Sequence, residues 1–167
     1  MQLIIVCETR SSSKSDYKYI KSVLDYFYEP RSFSIKKIFA SSKTSLIKQD
    51  SKISKIMSSY PGKSFVVLFA DVDSKDDQLN NEIMNYARNR NFALVWMNQD
   101  VEDVFLGKSA NKKIKNAEAD NYLKRYHKIL PLLTIKLEEK NPLEHKNTSN
   151  ILVVSDNYLE RKDSLSK

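Results

Sequence analysis

Leu3 to Cys7 form a short unbroken apolar run, the pattern of a strand covered on both faces. A polar stretch follows, and then Tyr19, Ile20, Val23, Leu24 and Phe27 recur at helical spacing. Ser13 or Ser15 is placed to cap that helix and Glu29-Pro30 to end it. Phe33, Ile35 and Ile38-Phe39 predict a second strand. Leu46, Ile47, Ile53, Ile56 and Met57 predict one or two helical turns before the break at Pro61-Gly62. Phe65 to Ala70 is the strongest strand signal, and it runs straight into Asp71-Val72-Asp73. Leu79, Ile83, Met84 and Ala87 fit a helix, and Phe92 to Met97 a fourth strand. The rest reads as helical, over 101–106, 111–129 and near 150–160, with breaks at Pro131 and Asn141-Pro142 and a frayed end at 161–167.

The order β-α-β-α-β-α-β predicts an α/β fold: one domain over residues 1–160, with about four parallel strands flanked by helices and a helical C-terminal extension. Crossovers in such sheets are right-handed, and sites open outside the carboxyl ends of the strands. Order along the chain thereby becomes position in space. Glu8 ends strand one, Asp71 and Asp73 end strand three, and residues 98–103 follow strand four, so all the acidic candidates fall on one edge.

Composition narrows the chemistry. Of 167 residues, 41% are apolar and 29% charged, as in ordinary globular domains. No apolar run approaches the ~20 residues of a membrane span, and the start lacks a signal-peptide pattern, so a cytoplasmic location without a membrane partner is expected. The single Cys7 excludes an internal disulfide and a cysteine-cluster zinc site, and reads as a small core residue. His127 and His145 lie apart from any ligand pattern. With only Gly62 and Gly107, the chain has no P-loop and no dinucleotide fingerprint, which excludes common ATPase and NAD-enzyme designs. The net charge of +7 invites a nucleic-acid partner, but on charge alone solvated lysine faces are the favoured account. The densest basic stretch, Lys108, Lys112, Lys113 and Lys115 with Lys124, Arg125 and Lys128, could track a phosphate backbone or simply face water. Tyr17, Tyr19, Tyr26 and Tyr28 could stack bases, although their helical spacing fits a core.

Asp71 and Asp73, two apart on an extended segment, point the same way, and Glu8 on a neighbouring strand can complete the group. Mg²⁺ is held by one or two carboxylates with water and substrate phosphate, and carboxylates this close repel unless a cation compensates. Such a cluster suits phosphodiester chemistry. The competing reading makes Asp71 and Asp73 caps of the helix near Leu79.

These residues resemble the TOPRIM domains of topoisomerases, primases and some nucleases, which carry Glu after the first strand and Asp-x-Asp after the third. More specifically, the chain resembles the RloB-like branch linked to restriction and abortive-infection loci. The resemblance lies in Cys7-Glu8, Lys14-Ser15-Asp16 with Tyr19, Asn98 to Leu106, and Lys146-Asn147-Thr148-Ser149-Asn150. Two departures stand out: Thr9 replaces the Gly usual after the Glu, and Gln99 replaces a Pro after Asn98. The resemblance implies a Rossmann-like TOPRIM domain with Glu8, Asp71 and Asp73 as catalytic residues holding Mg²⁺ or Mn²⁺. It adds Glu102 as a further acidic site residue, against the simpler reading of a solvated first-turn Glu. Arg10 and Lys14 are candidates to bind substrate phosphate. The implied activity is a nuclease acting on DNA or RNA in phage defence. The alternative is a non-catalytic module with a vestigial site, binding nucleic acid or an AAA-type ATPase encoded nearby. A receiver-domain reading ranks behind both, for want of a fifth strand bearing Lys.

Overall fold

The computed structural model describes residues 1–8, 14–72, 76–107 and 114–162. Four strands, β1 (Gln2–Glu8), β2 (Ser34–Ala40), β3 (Ser64–Val72) and β4 (Ala93–Asn98), form one all-parallel sheet in the order β2-β1-β3-β4. The chain thus has the α/β, Rossmann-like fold expected from its alternation of runs.

Period-two alternation divides the core between the two faces. Leu3, Ile5, Cys7, Val67 and Phe69 meet α1 (Ser15–Phe27) and the late helices, α5 (Val101–Leu106), α6 (Lys115–Leu123), α7 (Tyr126–Leu137) and α8 (Ile151–Ser155). Ile4, Val6, Val66, Leu68 and Ala70 meet α2 (Lys43–Leu46), α3 (Asp50–Ser58) and α4 (Asp77–Arg90) through Leu46, Ile53, Ile83 and Ala87. Both faces being covered is what the unbroken apolar runs of β1 and β3 require.

Several local expectations need correction. Ser15 is the first helical residue of α1, and the cap position belongs to Lys14, left-handed at φ 51° with no side-chain cap bond; Ser13 lies outside the described residues. The helix expected over 111–129 is two helices, divided at Lys124-Arg125, where the Arg125 N–H bonds the Tyr122 carbonyl. The turn lets Ala119 and Tyr122 of α6 and Leu130 and Leu137 of α7 enter one core. Pro131 breaks nothing; it sits inside α7, where it can donate no bond to the turn before it, and the buried Leu130 and Leu137 anchor the helix on either side. The last helix is short, Ile151–Ser155, and Arg161 and Lys162 are tied down: Tyr28 bridges Arg161, and the Lys162 N–H bonds the Phe27 carbonyl.

The outer edge of β4 is covered by the segment before α8. The Asn98 N–H bonds the Thr148 carbonyl, Met97 bridges Ser149, and the Asn150 amide accepts from the Trp96 N–H (2.8 Å) and donates to the Leu94 carbonyl (3.2 Å). The described residues contain no helix long and apolar enough to cross a membrane.

Candidate functional site

The order β2-β1-β3-β4 changes direction at β1: the chain steps outward to β2, then returns to the other side of β1 for β3. Open α/β sheets bind ligands at the carboxyl edge beside such a reversal. Glu8, the last residue of β1, and Asp71, near the end of β3, flank this point. Asp71 is held within the ladder, paired in register with Met97, so its backbone is fixed by the sheet.

Between them is a small cavity of about 10 Å³, room for one water, lined by the carboxyl-bearing Glu8, Asp16 and Asp71 and closed by Cys7, Phe69 and Met97. Asp16 comes from the first turn of α1. Each of these carboxyls resists ionisation. Burial is the main cause of a raised pKa at Asp71, reinforced by the charges of Asp16, Glu8 and Asp100, and it takes the group well above the usual carboxylate range. Asp16 is pushed up to about 6, first by burial, with Glu8 and Asp100 adding to it and the Ser15 hydroxyl (2.9 Å) and Lys115 opposing. Glu8 is raised by burial against the charge of Lys43, a hydrogen bond from the Lys43 backbone N–H, and Lys115.

Glu102 stands beside this group from α5, with a side chain that is 0% exposed. One carboxylate oxygen accepts from Lys115 Nζ at 2.9 Å; the other, Oε1, is buried without a hydrogen-bond partner among the described residues. Burial outweighs the ion pair and lifts the carboxyl to about 7, with Asp16 and Asp100 contributing. Lys115 is held in its charged form: burial works against the ammonium, but Glu102, Asp100 and Asp16 outweigh it. A solvated first-turn Glu102 is therefore ruled out.

The capping reading of Asp71 also fails, because α4 already has its cap: the Asp76 side chain accepts from the Leu79 N–H at 3.0 Å. Asp100 plays the same part for α5 through the Asp103 N–H, 3.0 Å away. Lys14 is exposed at the start of α1. Asp73 and Arg10 lie outside the described residues, as do Thr9, Lys108, Lys112 and Lys113. Cys7 is buried and its thiol is pushed far up, first by burial, which leaves it a core residue. Tyr19 and Tyr28 are also core, so neither offers a ring to a base, and Tyr19 stacks on Phe105 at 5.3 Å.

Two residues named in the sequence analysis, Asp16 in the resemblance and Lys115 in the basic stretch, were not assigned to the site there. Asp16 had a usable signal: an acid in the first turn of the helix after β1 must lie at the carboxyl edge. Lys115 had none, since its pairing with Glu102 spans 13 residues and depends on how α5 and α6 pack.

Among the described residues no three His, Cys, Asp or Glu side chains converge on a single ion position. Glu8, Asp16 and Asp71 nevertheless offer oxygen ligands only, with Asp71 pushed up by burial and by the other two, a chemistry that suits a hard cation whose shell is completed by water and phosphate. Comparisons with protein-family models, with curated proteins and with solved structures find no match to this chain.

Proposed function

We propose that the chain is a Mg²⁺- or Mn²⁺-dependent phosphodiester-processing protein of TOPRIM type, close to the RloB-like branch, acting on DNA or RNA in a cytoplasmic phage-defence role. One observation carries this reading: Glu8, Asp16 and Asp71 share one cavity beside the reversal of strand order, with pKa values raised by burial and, at Asp16 and Asp71, by neighbouring carboxylates as well. A site that concentrates negative charge against its own solvation cost is stabilised by a cation.

Glu8 and Asp71 would hold the ion, with Asp73 as a third ligand from the segment after β3. A bound divalent ion would supply charge neutralisation at phosphate and a more acidic water. The protein's own groups would do the rest. Asp16, poised near pH 6, can hold or release a proton at its carboxyl oxygen close to physiological pH. Glu102 and Lys115 set the local charge from behind. Arg10 and Lys14 remain the proposed phosphate contacts.

The test is nicking of plasmid DNA and cleavage of tRNA with Mg²⁺ or Mn²⁺. Asp71→Ala and Glu8→Ala should each lower the rate at least about 100-fold, a loss of more than ~2.7 kcal/mol of transition-state stabilisation. Activity equal to wild type in both variants overturns the assignment.

A second reading, a non-catalytic module that binds nucleic acid or an AAA-type ATPase, has its own support. Leu132 and Ile135, 83% and 88% exposed on α7, form an apolar face of the kind partners cover. Calorimetric titration separates the two: Mg²⁺ binding lost in Asp71→Ala supports the metal site, and no binding in wild type supports the module.

A further inference from the structure

On the α4 side of the same sheet edge lies a second cavity, of about 460 Å³, within the size range of small-molecule sites. Its floor is Val72, the residue after Asp71, with Met84 and Leu143 beside it. Four side-chain amides also line it: Asn80, Asn81, Asn98 and Gln99. Lys43 ties the two sites together, since its backbone N–H bonds the Glu8 carboxylate while its Nζ donates to Asn80 Oδ1 at 2.6 Å.

The lining selects among occupants. Among the described residues its charged lining is Asp77 and Glu144 against Lys146, which disfavours a free phosphate. A ligand without negative charge that uses amides fits this lining. Asn98 lines the cavity and donates from Nδ2 to the Pro142 carbonyl, which leaves Oδ1 as an acceptor. Asn81 and Gln99 are exposed side chains, each offering both donor and acceptor. Gln99 is left-handed at φ 75°, uncommon for a residue with a Cβ. It is held there between the end of β4 and the Asp100 cap of α5. Amide groups of this kind read base edges with paired hydrogen bonds, and Val72, Met84 and Leu143 supply apolar surface for a flat ring.

We infer that this amide-lined cavity takes a nucleobase, that of the nucleotide whose phosphate lies at Glu8 and Asp71. The ligand's identity rests on the phosphodiester reading, but the site can be tested without metal or phosphate. Adenosine, guanosine, cytidine, uridine and plain ribose are titrated into the metal-free protein and followed by backbone amide NMR. The proteins are wild type and Asn81→Ala/Gln99→Ala. At least one nucleoside should shift the amides of Asn80, Asn98, Gln99 and Lys146. The double variant, altered only at exposed side chains, should weaken that binding about tenfold or more. No shift at roughly 10 mM nucleoside, equal shifts with ribose, or equal affinity in the double variant overturns the inference. Nucleoside binding without metal-dependent cleavage would count against the phosphodiester reading and leave the base pocket standing; cleavage without nucleoside binding would do the reverse.

Discussion

Lys115 favours the ionised form of Glu102 against the cost of burial. The carboxylate is fully buried, one oxygen has no partner among the described residues, and the carboxyl sits at about 7. Removing the cation strands a buried charge, which is more damaging than removing both partners. Lys115→Met should therefore destabilise the fold by about 2 kcal/mol at pH 8, less than a wholly buried pair would lose because Lys115 is 30% exposed. At pH 5 the carboxyl is protonated and needs no counter-charge, so the loss should shrink. Urea unfolding at the two pH values checks this, and an equal loss at both would show that the pair is not the cause. The sequence made Glu8 and Asp71 readable, because a strand end is fixed by the run preceding it. The burial of Glu102 was not readable: a Glu in a first turn looks the same whether that turn faces water or the core, and the difference is made by α6 arriving from elsewhere.

Among the elements, the strands were legible nearly to the residue, since an apolar run of β1 or β3 length bounded by polar residues leaves little choice. The extension of β3 through Asp71 and Val72 was less so, because it depends on Met97 and Asn98 of β4 being there to pair with them. The late helices were the least legible. The chain turns between α6 and α7 without Pro or Gly at Lys124-Arg125, then tolerates Pro131 inside α7. Tertiary packing of Leu130 and Leu137 overrides the local preference. That tolerance has a cost, because residue 131 lies past the first turn and its nitrogen can bond nothing. Pro131→Ala should restore the bond to the His127 carbonyl and stabilise the protein by about 1–3 kcal/mol, visible as a higher Tm. An unchanged or lower Tm would mean that the proline ring contributes packing that outweighs the missing bond.

For the whole molecule, the balance is between a chain of net charge +7 and the acidic edge within it. Asp16 and Glu102 have folded pKa values of about 6 and 7, above their ordinary 3.8 and 4.5. Folding therefore takes up protons, and the stability these groups contribute is complete below their ordinary values and lost as pH rises through about 6 to 7. In metal-free buffer, calorimetry should show Tm rising as the pH is brought from about 7.5 toward 5. A cation replaces the protons, so Mg²⁺ should raise Tm more at the higher pH. Equal Mg²⁺ shifts at both would remove the link between the carboxyls and the ion. The two rims of the sheet carry a different consequence. β2 presents Lys36 and Lys37 to solvent, and β4 is sheathed by residues 148–150, whose Asn150 amide stands in for a neighbouring strand. Exposed strand rims template stacking with other chains, and lysines or a covering segment are how natural sheets avoid it. The short segment that completes the fold beside β4 thus also keeps concentrated protein from self-associating, so damage there would surface as loss of solubility before any loss of chemistry.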